Sequence, residues 1–177
     1  MLYSDATNVD TLGKSNLHPI YITIGNIKNW RRNKPDAKQL LGLLPILKSN
    51  EKNSEKFKIA AREAFHNSLK ILLDPILKLK NGIELNLNNE TIWFYPRISI
   101  IIADWPEAAT YCLTYKSAMS NFPCHFCLVS RDDLANINLT TNEMELRTHE
   151  NMRAYLDQKS EKSVCIESLR NYFWDLP

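Results

Sequence analysis

The sequence predicts an α/β (α+β) domain built around a mixed β-sheet with flanking helices. Apolar residues at three- and four-residue steps after Ser54 predict a long helix. Alternating apolar and polar residues at 82–87, a turn at Asn88-Asn89-Glu90 and a second strand at 91–95 predict an extra β-hairpin. Runs rich in β-branched, aromatic or other apolar residues predict the sheet strands, at 1–7, 18–26, 39–48 and 98–102.

Composition limits the classes of protein that the chain can represent. With 177 residues, an apolar fraction of 44% and a charged fraction of 24%, it resembles one ordinary globular domain. The four glycines form no phosphate-binding motif, which argues against a nucleotide-binding loop. The first residues lack the pattern of a signal peptide, and no stretch approaches the ~18 apolar residues of a membrane span. We therefore expect an intracellular protein without a membrane partner.

The stretch Tyr95–Glu107 is the segment on which the predicted fold and the predicted site chiefly depend. Four of the five residues in Ile98–Ile102 are isoleucine, which favours a strand buried on both faces. Asp104 follows this strand, and Pro106 opens a run compatible with a helix. Asp is a preferred helix N-cap, so a structural capping role explains an aspartate at position 104 without any catalytic function. The alternative is a functional carboxylate, because sites of α/β folds lie at the carboxyl ends of strands.

The order of the predicted elements is that of an RNase H-like fold. Three antiparallel strands come first, then a helix, and then a strand that lies parallel to the first. In that arrangement Asp5 on the first strand and Asp104 on the fourth meet, although they are 99 residues apart. Carboxylates are suitable ligands for Mg²⁺ or Mn²⁺, and paired ions promote phosphodiester cleavage and strand transfer. Asp10 is predicted to be a turn residue.

A basic segment between the second and third strands is a candidate for DNA binding. Cations surround Trp30, namely Lys28, Arg31, Arg32 and Lys34. Such a group can hold phosphates and stack a base. A solvated basic loop explains the same composition.

Two of the four cysteines have the spacing of a metal-binding turn. Cys124 and Cys127 can chelate one zinc ion through both thiolates. They supply half of a tetrahedral site, and the candidate partners in this chain are His149 and Cys165. Two core cysteines paired by chance are the alternative.

The ordered set of motifs resembles the Plavaka-type transposases, relatives of the CACTA group of DDE transposases. The resemblance extends over nearly the whole chain and lies in these segments: 4–7, 18–27, 30–35, 40–45, 95–107 and 123–128. It implies an RNase H-like catalytic core that cuts and joins transposon ends with two metal ions. It also implies that Asp5 and Asp104 are the first two catalytic carboxylates, and that Cys124 and Cys127 start a zinc-stabilised insertion.

The resemblance also implies what this chain contains. Residues 1–120 are expected to be the partial catalytic core, and residues 121–177 the cysteine element and the start of the insertion. The family's third acidic residue is expected beyond Pro177, so we expect an internal fragment that is inactive alone. The expected partners are DNA and, by self-association, other transposase chains, and the expected location is the nucleus. The alternative function is a non-catalytic, zinc-stabilised domain that binds DNA or protein.

Overall fold

The computed structural model describes residues 1–8, 16–50 and 54–175. Its strands are β1 (Leu2–Ser4), β2 (Thr7–Asn8), β3 (Asn16–Leu17), β4 (Pro19–Ile22), β5 (Gln39–Leu43), β6 (Ile83–Leu87), β7 (Glu90–Phe94) and β8 (Ile101–Ile102). Its α-helices are α1 (Asn29–Arg32), α2 (Glu55–Lys78), α3 (Trp105–Cys112) and α4 (His149–Asp157). The protein is therefore of mixed α+β class, as predicted.

The chain divides into two compact units. The first, here called the sheet unit, contains Met1–Leu47 and Asn67–Ala103. The second, here called the cysteine unit, contains Lys48–His66 and Asp104–Asp175. The predicted division at residue 120 remains a prediction, and Asp10 lies outside the described residues.

The main sheet has the strand order β5-β4-β1-β8. Strand β4 pairs antiparallel with both β1 and β5, whereas β8 lies parallel to β1. This is the order and direction expected from the sequence. Strand β5 is an edge strand that ends before Pro45, because proline cannot continue the ladder.

The predicted hairpin is formed by β6 and β7. These strands pair antiparallel, with Leu87 opposite Glu90, so that Asn88 and Asn89 make a two-residue turn. Both asparagines have positive φ, 51° and 67°. A type I′ turn requires this conformation, and Asn adopts it more readily than most residues.

The core of the sheet unit lies between the sheet and the second half of α2. Leu2 and Ile20 of the sheet are almost completely buried, as are Leu69 and Leu73, which lie one helical turn apart on α2. The helix passes close to the edge strand, because a Cβ added to Gly42 would lie 2.9 Å from a Leu72 methyl carbon. Glycine at position 42 thus allows a close approach of helix and strand.

The prediction of a strand buried on both faces at Ile98–Ile102 was wrong. Only Ile101–Ile102 forms a strand, and Ile100 and Ile102 are 50% and 45% exposed. Strand β8 is at the edge of the sheet and pairs with β1 on one side. A continuous apolar run does not distinguish one buried face from two, since the neighbouring elements decide which faces are covered.

The cysteine unit contains the first half of α2, the helices α3 and α4, and several short 3₁₀ turns. Isolated backbone bridges join Thr114 to Ile166 and Cys127 to Leu146. A small core of Met152, Val164, Ile166 and Trp174 packs beneath α4. Across the described residues, no helix has the length and apolar content that crossing a membrane would require.

Candidate functional site

Asp104 caps α3. Its backbone is extended, with φ −70° and ψ 171°, and its side-chain Oδ1 accepts a 2.8 Å hydrogen bond from the backbone N–H of Glu107. Pro106 occupies the first helical turn, where no N–H donor is needed. The carboxylate is solvent-exposed. The capping interpretation is thus confirmed, and the helix fixes the position of the carboxylate.

Asp5 and Asp104 follow paired strands at the same distance along the chain. Tyr3 on β1 lies opposite Ile102 on the parallel strand β8. Asp5 comes two residues after Tyr3, and Asp104 comes two residues after Ile102. Strands β1 and β8 therefore end at the same edge of the sheet, and the pairing of the two aspartates stays a prediction.

The cysteine pair lies on a turn with hydrogen bonds to sulfur. The backbone N–H of Phe126 donates to Cys124 Sγ at 3.3 Å. Burial raises the pKa of the Cys127 thiol, while a backbone hydrogen bond at Val129 lowers it and a hydrogen bond with the Cys124 thiol raises it. All four cysteines are free thiols. The sulfur atoms of Cys124 and Cys127 and at least one backbone N–H donor thus lie close together at this turn.

A second chain segment holds this turn in position. The backbone N–H of Leu128 donates to the Glu145 carbonyl and that of Arg147 to the Phe126 carbonyl, both at 2.8 Å. The Arg147 side chain adds bonds to the carbonyls of Cys124 at 2.9 Å and Phe122 at 3.0 Å. Arg147, which lies 23 residues after Cys124 in the sequence, therefore holds the cysteine turn in place through these hydrogen bonds.

The surroundings of Arg147 reveal a cysteine that the sequence analysis did not single out. Burial lowers the pKa of Arg147, whereas the charges of Cys165, Cys124, Cys112 and Cys127 raise it. Burial likewise raises the pKa of Cys112, and Cys124 adds to this effect. Cys112 ends α3 and carries no sequence motif, so only the fold brings it near the cysteine turn.

The two predicted partners of the cysteine pair differ in their burial. Cys165 is 5% exposed and its carbonyl accepts a 3.0 Å bond from the Tyr115 N–H. His149 is the first residue of α4 and is solvent-exposed. Within the ranges that the structure describes, no three His, Cys, Asp or Glu side chains are already arranged to hold an ion. Among the described residues, the cysteine turn thus brings two thiols together without a third ligand.

The basic segment forms the helix α1 and a following 3₁₀ turn instead of an irregular loop. Trp30 is 68% exposed. Arg31 makes two hydrogen bonds to the Asp36 carboxylate, at 2.8 and 2.7 Å. Arg32 contacts the Gly25 carbonyl and the Asn29 side chain. The segment thus presents an exposed aromatic ring, and its two arginines are oriented by local contacts.

His66 of α2 is buried, at 5% exposure. Its Nε2 donates to the Thr110 carbonyl at 3.0 Å and its Nδ1 accepts from the Tyr172 N–H at 3.4 Å. Burial lowers the pKa of His66 to about 4, with Arg62 contributing in the same direction. His66 is consequently a neutral structural histidine that connects three segments of the cysteine unit.

Comparison with known proteins identifies the class of this chain as transposase-derived. A family model for the Plavaka transposase matches residues 1–175. The chain therefore belongs to the Plavaka transposase family, and DNA is its general class of partner. No curated protein and no solved structure matches the chain.

Proposed function

We propose that this chain contains part of an RNase H-like DDE catalytic core in which Asp5 and Asp104 bind Mg²⁺ or Mn²⁺. The parallel register of β1 and β8 is the observation that carries this proposal. It gives the two aspartates equivalent positions beyond the ends of neighbouring strands. The strand order β5-β4-β1-β8 supports the same fold.

The environment of Asp104 suits a metal ligand. Its Oδ1 is held by the Glu107 N–H, so the side chain has a fixed orientation while the carboxylate remains exposed. Mg²⁺ is commonly bound by one or two carboxylates, with waters and substrate phosphates at the other positions. When bound, paired ions would stabilise the attacking and leaving oxygens of a DNA phosphodiester. The two aspartates would hold the ions, and the family's general association with DNA supports DNA as the substrate.

We further propose that Trp30, Arg31, Arg32 and Lys34 contact the DNA. An exposed tryptophan can stack on a base, and the cations attract phosphates. Arg31 contributes less to this attraction because Asp36 offsets its charge. The expected DNA is the transposon end, the expected location is the nucleus, and self-association would bring two ends together.

A second proposal concerns the cysteine unit, where Cys124 and Cys127 bind a structural zinc ion. The N–H group directed at Cys124 Sγ supports it, since this bond orients the sulfur within the turn. Buried thiols resist ionisation unless a cation compensates the charge, and zinc supplies that charge. The structure adds Cys112 to the candidate ligands Cys165 and His149. This unit is also the observation that favours the alternative function, a zinc-stabilised binding domain without catalysis.

The test of the catalytic proposal is Mn²⁺ binding, followed by electron paramagnetic resonance, in Asp5→Asn and Asp104→Asn variants. We expect each to weaken Mn²⁺ binding at least about tenfold, because a charged ligand is lost. Asn caps helices as well as Asp does, so Asp104→Asn leaves α3 intact. Asp132→Asn removes a carboxylate that is 85% exposed and is the matched control.

The outcomes separate the two functions. Loss of Mn²⁺ binding in both variants but not in the control supports the shared carboxylate site, and cleavage of labelled DNA with Mn²⁺ then measures activity. If wild type and all three variants bind Mn²⁺ equally, the catalytic proposal is wrong. Zinc bound by the same samples would then leave the zinc-stabilised binding domain as the function.

A further inference from the structure

The sheet unit contains a cavity of about 560 Å³ that none of the proposed roles uses. Its floor is the outer face of the sheet, with Tyr3, Tyr21 and Ile102. Its wall is formed by Arg32 at the end of α1 and by Pro35 and Lys38 after that helix. This volume is within the range of pockets that hold small organic molecules.

The floor of the cavity is formed by two tyrosine rings and an isoleucine. Tyr3 lies directly opposite Tyr21 on β4 and opposite Ile102 on β8, so the three side chains form one row across the sheet. The two tyrosine rings have centroids 6.5 Å apart and planes inclined by 36°. Tyr3 is 45% exposed, as is Ile102. An exposed row of this kind offers a platform on which a planar ring can stack.

The rim of the cavity carries positive charge. Arg32 and Lys38 are its charged lining side chains, and no carboxylate is among the lining side chains of the described residues. Arg32 is oriented by hydrogen bonds to neutral acceptors, including the Gly25 carbonyl at 3.1 Å, so its charge is not neutralised there. The cavity therefore suits a ligand with a planar apolar ring and an attached anion.

We infer that this cavity binds an unpaired nucleotide of DNA, with the base on Tyr3 and Tyr21 and the phosphate at Arg32 and Lys38. The inference rests on the proposed DNA binding of the same unit and makes it more specific. Arg32 belongs both to the basic segment around Trp30 and to the cavity wall, so a strand bound along that segment reaches the cavity. A base inside a duplex has both faces covered, and only an unpaired base can stack on the tyrosines.

Two DNA molecules of equal length test the inference, one fully paired and one with a single-stranded end that carries 2-aminopurine. We expect wild type to bind the single-stranded end more tightly and to quench its fluorescence by stacking. Tyr3→Ala should weaken that binding at least about fivefold, the lower range for loss of one base–aromatic stack, with little effect on paired DNA. Tyr3→Phe keeps the ring and is the matched control. Lys38→Ala changes only an exposed rim residue and should reduce the preference without affecting folding.

Equal binding of both DNAs by wild type would overturn the inference and leave general DNA binding intact. A Tyr3→Ala variant that weakens both DNAs equally, while retaining wild-type thermal unfolding, would overturn it too. Absence of any DNA binding would instead contradict the proposed DNA-binding role.

Competition with deoxyadenosine monophosphate identifies the source of the nucleotide. Displacement supports a pocket that accepts free nucleotides, and a retained preference without displacement supports one that needs the adjoining strand.

Discussion

The sheet unit and the cysteine unit are stabilised by different interactions. In the sheet unit, strands pair in a regular register and an apolar core forms around Leu2, Ile20, Leu69 and Leu73. In the cysteine unit, side chains bond to the backbone of distant segments. Arg147 reaches the carbonyls of Phe122 and Cys124, and Asn171 donates to the Tyr111 carbonyl at 2.7 Å from within the interior.

This difference predicts how each unit responds to change. Apolar packing depends on shape and volume, so the sheet unit should be sensitive to added atoms. The stability of a network of buried polar groups depends on every hydrogen-bond partner. A buried group left without a partner lowers the free energy of unfolding by more than one hydrogen bond adds to it. The cysteine unit should therefore be sensitive to protonation and to loss of the proposed metal. Three experiments examine this contrast.

The largest expected effect is loss of zinc from the cysteine unit. Cys124→Ser and Cys127→Ser should each abolish stoichiometric zinc binding and unfold this unit, because metal binding contributes directly to folding, by roughly 10 kcal/mol in zinc-finger peptides. Mass spectrometry of native protein measures the bound metal, and limited proteolysis shows where the chain opens. We expect new cleavage sites within 104–175 and none within 67–103.

Single variants of the remaining candidates identify the other ligands. We expect Cys165→Ser to lose zinc, because Cys165 is buried among the groups around Arg147. We expect His149→Ala to retain it, because His149 is exposed at the start of α4. Wild-type protein that carries no zinc after purification in its presence would contradict the metal proposal altogether.

The second effect is acid sensitivity through His66. Its pKa of about 4 in the folded protein lies below the ordinary value of 6.5, so the unfolded chain binds the proton more readily. Stability is therefore fully present above about pH 6.5 and falls as the pH drops toward 4, by up to about 3 kcal/mol. His66→Gln can donate to Thr110 and accept from Tyr172, and it should remove this part of the pH dependence.

Urea unfolding at about pH 7 and about pH 5 measures the His66 contribution. His149→Gln removes an exposed histidine and controls for the substitution itself. The interpretation fails if His66→Gln and wild type lose the same free energy of unfolding on acidification.

Local signals in the sequence predicted most of the sheet unit. β-Branched runs located the strands, and Asn88 and Asn89 located the hairpin turn. In the cysteine unit, the spacing of Asp104 and Pro106 likewise located the start of α3. Each of these signals acts within a few residues. The exposure of Ile102 was not predictable, because it depends on which elements cover the outer face of the sheet.

The cysteine unit was less predictable because its contacts join distant residues. His66 is buried by segments around Thr110 and Tyr172, which lie 44 and 106 residues away. Arg147 has no motif that connects it to Cys124, and Cys112 has none that connects it to the cysteine turn. Spacing identified Cys124 and Cys127, whereas their supporting residues required the fold.

The smallest expected effect concerns packing in the sheet unit. Gly42→Ala would place a Cβ 2.9 Å from Leu72 Cδ2, closer than real Cβ atoms approach a neighbour. The Leu72 side chain, the helix or the edge strand must shift, and overpacking of this kind costs about 1–3 kcal/mol in free energy of unfolding. Gly25→Ala is the matched control, because its nearest neighbour, Met1 Cγ, would lie at 3.6 Å, an ordinary contact. Chemical denaturation should show a loss for Gly42→Ala and little change or a small gain for Gly25→Ala. If both substitutions had an equal effect, the close approach of α2 to β5 would not limit the stability of the sheet unit. The expected sensitivity of the sheet unit to packing, which distinguishes it from the cysteine unit, would then be wrong.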